Sequence, residues 1–251
     1  MVQNQRRQLS GFLLAASGAV SLPAAEYMEE LYDWLASRAL EQAKAGGSGS
    51  KLLIGIAGAP GSGKSTLARE VSSRVNAAAG AELAVVVPMD GFHYYKRQLQ
   101  QFEDPGAAFA RRGAHWTFDA QAYVNCIRRM KEQGEALVPS FDHGVGDPVD
   151  DDIQVTRNHQ IVLSEGNYLL LEVEPWRQLE ALFDETWFVE CDIDVAMDRV
   201  YERQTGHGVA SGVSRGRIAG NDRPNAELIA GTKGRALLVV PSLPFRGARS
   251  D

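Results

Sequence analysis

The sequence predicts an α/β protein, a three-layer sandwich around a parallel sheet of about five strands. Three observations predict it. Short continuous apolar runs recur along the chain, helical stretches separate them, and a glycine-rich octet joins the first run to the helix that follows. Runs that are apolar at every position fit strands buried on both faces, and strands alternating with helices imply right-handed crossovers that cover both faces of a parallel sheet.

The chain of 251 residues is long enough for one sizeable core. It divides into a mobile lead-in over 1–23 and a single domain over 24–251. In the lead-in, Arg6 and Arg7 precede a modestly apolar stretch, the outline of a weak targeting segment, which Ser10, Gly11, Ser17 and Gly18 make a poor membrane span. Over 24–45, Tyr27, Leu31, Trp34, Leu35, Ala39 and Leu40 recur at helical spacing, with Glu26, Glu29 and Glu30 near the start where the helix dipole favours acids. Gly46-Gly47-Ser48-Gly49-Ser50 ends this helix as a short link. The first buried strand is 52–57 and the helix after the octet is 66–79. A second strand, 83–87, runs into Pro88-Met89-Asp90, and further strands are expected at 160–163, 186–190 and 236–240. Helices are expected near 120–133, 174–182 and 195–204. The Gly- and Ser-rich stretch 206–220, with Arg215 and Arg217, reads as part of a mobile lid over 199–220 or as a passive surface loop.

Composition narrows the function classes. A formal net charge of −6 argues against a general nucleic-acid binder, which needs a dense basic surface. The two cysteines, Cys126 and Cys191, are too few and too far apart for a disulfide scaffold or a CxxC site. None of the five histidines forms an H-x-H or H-E-x-x-H spacing, so protein-ligated zinc is not expected. Beyond the lead-in no stretch is apolar enough to cross a bilayer. These features lead us to expect a soluble, cytoplasmic protein without membrane or nucleic-acid partners, a mitochondrial address depending on 1–23. Oligomeric state is left open.

The octet Gly58-Ala59-Pro60-Gly61-Ser62-Gly63-Lys64-Ser65, followed by Thr66, fits G-x-x-x-x-G-K-[ST] between a strand and a helix, the context that gives the match meaning. Its glycines let backbone N–H groups turn inward around a phosphate, and the helix N-terminus adds partial positive charge. Lys64 is expected to reach the outer phosphates of ATP, and Ser65 to offer its hydroxyl to Mg²⁺. Nucleotide binding follows, but kinase, GTPase, motor and transporter remain open on the octet alone. The chain lacks the N-K-x-D motif of GTPases and the LSGGQ signature of transporter ATPases.

Asp90 ends the second strand, so it should face the same cleft as Lys64, because ligands gather outside the carboxyl ends of such strands. A carboxylate there can take the proton of an acceptor hydroxyl, although Asp is also common in plain turns. Glu165, at the end of the third strand, is the candidate carboxylate for Mg²⁺, and the two acids could exchange or share roles. Arg199 and Arg203, four apart, share one helix face and could grip a transferring phosphoryl group or form a salt-bridged surface.

The ordered set of motifs resembles the uridine kinase, phosphoribulokinase and pantothenate kinase superfamily. Within it the chain looks closest to a fungal uridine-kinase-like group related to bacterial fructose-transport-associated kinases. The resemblance covers about 26–244 and rests on the octet, Met89-Asp90-Gly91-Phe92-His93 and Arg111-Arg112-Gly113-Ala114-His115-Trp116-Thr117-Phe118-Asp119. It continues in Pro139-Ser140-Phe141-Asp142-His143, Glu165-Gly166-Asn167-Tyr168-Leu169-Leu170-Leu171 and Asn221-Asp222-Arg223-Pro224-Asn225. It implies that Asp90 is the base, that Phe92, His93, Arg112, Phe141 and His143 line an acceptor pocket, and that Arg199 and Arg203 serve a closing lid. Asn221 and Asn225 are open between binding adenine edges and capping a helix. The full pyrimidine-reading pattern of true uridine kinases is absent around Phe141 to Asp147, which puts uridine in doubt. The expected activity is transfer of the γ-phosphate of ATP to a hydroxyl of a small metabolite such as a nucleoside, sugar or pantothenate-like compound. The alternatives are a nucleotide switch acting through a protein partner, or a nucleotide-binding protein that has lost its acceptor chemistry.

Overall fold

A computed structural model describes residues 20–47, 49–142 and 144–246. Most of the lead-in and His143 therefore lie outside the described residues. Five parallel strands, β1 (Leu52–Gly58), β2 (Ala84–Pro88), β5 (Ile161–Gly166), β6 (Glu185–Glu190) and β7 (Leu238–Pro241), form one sheet in the order β2-β5-β1-β6-β7. Between β2 and β5 the chain inserts an antiparallel hairpin, β3 (Ala136–Asp142) and β4 (Asp147–Val155). The hairpin is not legible as a pair of apolar runs because Asp150, Asp151 and Asp152 give β4 an exposed, acidic middle.

The sheet is apolar on both faces, and residues alternate between them as the strand period of two requires. Ile54, Ile56, Ile161, Leu163, Trp187 and Val189 pack under α1 (Met28–Ala45) and α2 (Lys64–Ala79). Leu53, Ala57, Val162 and Phe188 pack on the other face, against α5 (Ala120–Gln133) and the Trp176 turn. Leu53, Ile54 and Ile56 are fully buried, each side chain contributing about 1.5–3 kcal/mol to this core. The segment 174–182 forms a 3-10 turn, Trp176–Ala181, in place of the expected α-helix, and it buries Trp176 and Leu179.

Two short helices, α3 (Lys96–Leu99) and α4 (Pro105–Ala110), precede α5. Asp side chains cap three helices: Asp104 on α4, Asp119 on α5, and Asp192 on α6 (Ile193–Gly206), where its carboxylate accepts from the Asp194 N–H at 2.8 Å. The stretch read as a mobile loop is helical. It folds as α7 (Ser211–Arg217), passes through a π turn at Ile218–Asp222, and continues as α8 (Arg223–Ala230). Its glycines disfavour a helix. Tertiary anchors override that preference: Arg215 lies 5.1 Å over the Tyr201 ring, the Tyr201 and Ser211 hydroxyls are 2.8 Å apart, and Ser214 is buried.

The connections leave β1 for β2 on one side and reach β6 and β7 on the other. The reversal of strand order beside β1 opens a crevice at the carboxyl ends of β1, β2 and β5, the place where such sheets bind ligands. No helix among the described residues is long and apolar enough to cross a membrane.

Candidate functional site

The octet forms the loop between β1 and α2. Gly61 and Gly63 take φ of +80° and +97°, a region that side-chain-bearing residues rarely adopt. Gly61 also has no room for a side chain, since a Cβ there would meet the Ala196 carbonyl at 2.2 Å. The loop therefore sits tight against the start of α6, and α2 begins at Lys64 with its first N–H groups turned toward the crevice.

Lys64, Ser65 and Glu165 converge at the mouth of this loop. The Ser65 hydroxyl donates to Oε1 of Glu165 at 2.9 Å, and Lys64 Nζ lies 3.9 Å from Oε2. Glu165 is only 7% exposed, because β5 is covered on both sides. Burial raises its pKa, Lys64 opposes that shift, the Asp90 charge adds to it, and the Ser65 hydrogen bond lowers it again. Pro88 pairs with Glu165 across β2 and β5, and Asp90 follows in a buried 3-10 turn, Met89–Phe92. Both expected acids thus stand at neighbouring strand ends.

This arrangement fits Mg²⁺. The ion takes octahedral oxygen ligands at about 2.0–2.1 Å and keeps several waters, so two adjacent ligands lie about 2.9 Å apart. The Ser65 and Glu165 oxygens have that spacing. Among the described residues no group of three or more His, Cys, Asp or Glu forms a closed metal cage, and a Mg²⁺ shared with phosphates needs none.

Beside the loop lies a cavity of about 460 Å³, lined by Lys64, Ser65, Arg69, Arg199 and Arg203, with Tyr32, Leu243 and Phe245 at an apolar end. Arg199 Nη1 donates to the Gly61 carbonyl and to the Ser242 hydroxyl, both at 3.3 Å. The structure therefore brings Arg199 and Arg203 to the phosphate loop. Sequence reasoning missed Arg69, although its position one helical turn and a residue beyond Lys64 was available. The C-terminal wall was also missed; it is pinned to α1 where the Met28 N–H donates to the Pro244 carbonyl at 3.1 Å.

Asn221 and Asn225 do not line this cavity. Both are buried, and their side chains face the Arg111–Arg112 segment: Asn221 Nδ2 donates to the Arg112 carbonyl at 2.8 Å, and Asn225 Nδ2 to Oδ1 of Asn221 at 3.1 Å. Neither side chain caps α8. These hydrogen bonds tie Asn221 and Asn225 to the Arg111–Arg112 segment.

The acceptor-side residues are gathered from separate segments. His93 lies between Phe118 and Phe141, with ring centroids at 3.9 and 4.7 Å. Its Nδ1 is 2.8 Å from the Asp90 carbonyl, and since a carbonyl only accepts, Nδ1 carries a proton. Arg112 fastens the hairpin tip: Nη2 donates to Oδ1 of Asp147 at 3.0 Å and to the Tyr94 carbonyl at 2.9 Å, Nη1 donates to the Gly146 carbonyl, and Phe141 lies 5.7 Å beneath the guanidinium. Phe92, expected on the pocket wall, packs edge-on against Tyr123 in the core, with ring centroids 5.1 Å apart. The reading of His143 falls outside the described residues. Arg111, Asp147 and Tyr168 join these segments through their hydrogen bonds; all three fall in stretches quoted from the sequence, which gave them no roles and did not separate the two arginines.

Comparisons with known proteins bear on the family and the fold. Residues 53–242 match the Phosphoribulokinase / Uridine kinase family. A Schizosaccharomyces pombe protein named "Putative uridine kinase C227.14" is 43% identical over 182 residues, which span 72% of this chain and 76% of that protein. Among solved structures, one described as a "putative fructose transport system kinase" from Silicibacter sp. TM1040 superposes with a TM-score of 0.74 at 30% identity, covering 84% of this chain and 98% of the other. The structure of YFH7 from Saccharomyces cerevisiae gives a TM-score of 0.72 at 21% identity over 84% of this chain and 98% of its own, a likeness of fold.

Proposed function

This chain belongs to the phosphoribulokinase and uridine kinase family, and on that premise we propose that it transfers the γ-phosphate of Mg·ATP to a hydroxyl of a small metabolite. The observation that carries the reading is the convergence of Lys64, Ser65 and Glu165 on the phosphate loop, with Asp90 at the adjoining strand end.

The loop backbone and Lys64 hold the nucleotide phosphates by inward N–H groups and one ammonium. Ser65 and Glu165 would hold Mg²⁺, which when bound neutralises charge on the phosphates. Glu165 does this as a carboxylate, and since burial raises its pKa, acid works against that role. Asp90 takes the proton of the attacking hydroxyl. Asp90 stands at the strand end next to Glu165, within the same crevice as the phosphate loop, where a carboxylate can serve as that base. Arg199 and Arg203 approach the transferring phosphoryl group from α6, and α6 with α7 forms the lid that excludes water. In this reading no phosphoenzyme forms, because positioning and charge stabilisation suffice for phosphoryl transfer.

The test is ADP release by the purified chain with Mg·ATP across nucleosides, sugars, sugar phosphates and hydroxy acids, with Lys64→Ala as control. Acceptor-dependent ADP release that Lys64→Ala abolishes supports the reading. Slow hydrolysis indifferent to every acceptor but altered by a protein partner would replace it with a nucleotide switch.

A further inference from the structure

The chemistry of the acceptor can be argued from Arg111, and the argument rests on the kinase reading. Arg111 Nε donates to Oδ1 of Asn221 at 3.1 Å. Asn221 is 6% exposed and cannot turn, because its Nδ2 is bound to the Arg112 carbonyl and its Oδ1 also accepts from Asn225, itself 4% exposed. Burying two amides is costly unless they are satisfied. Here their bonds fix the direction of one guanidinium.

The far end of that guanidinium is unengaged. Among the described residues Nη1 and Nη2 of Arg111 form no hydrogen bond or ion pair. Its neighbour Arg112 uses both Nη atoms on the hairpin tip, and Arg38, Arg74, Arg223 and Arg235 each pair with a carboxylate. Arg111 is also separate from the phosphate cavity, whose guanidiniums come from Arg69, Arg199 and Arg203.

Its position relative to Asp90 follows from Tyr168. The Tyr168 hydroxyl donates to the Gly113 carbonyl at 2.6 Å, which ties the end of β5 to the turn that carries Arg111. The Tyr168 ring meets Phe118 edge-on at 5.8 Å, Phe118 packs on His93 at 3.9 Å, and His93 is hydrogen-bonded to the Asp90 carbonyl, so one aromatic cluster links the Asp90 turn to the turn that carries Arg111; burial raises the phenol's pKa. His115, whose ring meets Tyr168 edge-on at 5.9 Å, has its pKa lowered by burial and by the Arg111 charge. At the same strand end, Oδ1 of Asn167 is buried without a partner and offers an acceptor to a substrate hydroxyl.

We propose that the phosphate acceptor carries an anionic group, a carboxylate or a phosphate ester, gripped by the unengaged fork of Arg111 while the reacting hydroxyl sits at Asp90. A guanidinium offers parallel N–H donors that match two oxygens of either anion. A neutral nucleoside or sugar would leave that charge half-buried and unanswered.

The experiment uses the full chain with Mg·ATP and a small-molecule extract separated by anion exchange into retained and unretained fractions. Acceptor-dependent ADP release is expected in the retained fraction. Within it, hydroxy carboxylates and sugar phosphates, assayed beside their neutral alcohols, distinguish the two anions. Arg111→Gln is expected to raise the acceptor KM at least tenfold, to leave the KM for ATP unchanged and to erase the preference for the charged member of each pair, while Arg111→Lys recovers part of it. Turnover driven by the unretained fraction, or an acceptor KM indifferent to Arg111→Gln in a variant of unchanged Tm, overturns the proposal and leaves the kinase reading standing. ADP release that follows neither fraction overturns the kinase reading and this inference with it.

Discussion

The two walls of the cleft are built by opposite means. The phosphate wall is one unbroken stretch of chain, Gly58 to Thr66, whose working parts are backbone N–H groups aimed by glycines and by the start of α2. The acceptor wall is assembled from the Asp90 turn, the Arg111–Phe118 segment, the tip of the β3–β4 hairpin and the end of β5, and its working parts are side chains. A wall of backbone recognises what every nucleotide shares. A wall of side chains can be changed one residue at a time, so in the proposed reading substrate identity resides there.

The comparison is tested most severely at Asp90, which belongs to the acceptor wall by function but stands beside Glu165. Asp90→Asn keeps the shape and removes the base, and kcat should fall by about 10²–10⁴. ATP affinity, measured by equilibrium binding, should hold, since Asp90 does not line the phosphate cavity. Loss of ATP binding in this variant would mean that the two walls are one unit.

A second break point is their joint. A Cβ on Gly91 would meet the Pro139 carbonyl at 1.9 Å, so the turn that carries Asp90 rests directly on β3. Gly91→Ala must push the hairpin away, and overpacking of this kind costs about 1–3 kcal/mol. The expected result is a rise in acceptor KM of roughly ten- to a hundredfold, the equivalent of that cost, with ATP binding intact. Asp147→Asn should have a milder effect. It removes the carboxylate that holds Arg112 at 3.0 Å and also accepts from the Lys96 N–H at 2.9 Å. Charged hydrogen bonds of this kind contribute about 1.5–3 kcal/mol, part of which the Asn amide retains, so acceptor KM should rise by about tenfold or less. A change in ATP KM instead would place the hairpin tip over the nucleotide.

The same contrast explains what could be read in advance. The sheet was legible because strands buried on both faces write themselves as continuous apolar runs, as 52–57 and 160–163 do. The octet was legible because its glycines and its lysine answer to one contiguous geometry. The hairpin was not, since the acidic middle of β4 faces solvent and conceals the pairing that positions Phe141. Helix α7 was hidden by glycines whose cost is offset by contacts with Tyr201 that only folding creates. The motif left Asn221 and Asn225 open between adenine and a helix cap; that Asn221 holds Arg111 depends on a pairing across 110 positions of chain, which no local pattern encodes.

The smallest effect is expected where function opposes stability. Burial and the Asp90 charge raise the Glu165 pKa despite Lys64 and Ser65, so folding places this carboxylate at a net cost. Between the ordinary carboxylate pKa and the raised one, the folded chain binds more protons than the unfolded chain, and its stability falls as pH rises through that window. Glu165→Gln removes the ionisation. Without nucleotide its Tm at neutral pH should therefore exceed that of the parent, by less than any of the effects above. The difference should close toward acid pH, where the parent's carboxylate is already protonated. Loss of the Lys64 partner acts the other way, but the 3.9 Å separation makes that pair weak. Mg·ATP should then stabilise the parent more than the variant, since only the parent keeps a carboxylate for the ion. Scanning calorimetry at two pH values, with and without Mg·ATP, reads both signs; a variant less stable than its parent when empty would show that Glu165 braces the phosphate wall as well as holding the metal.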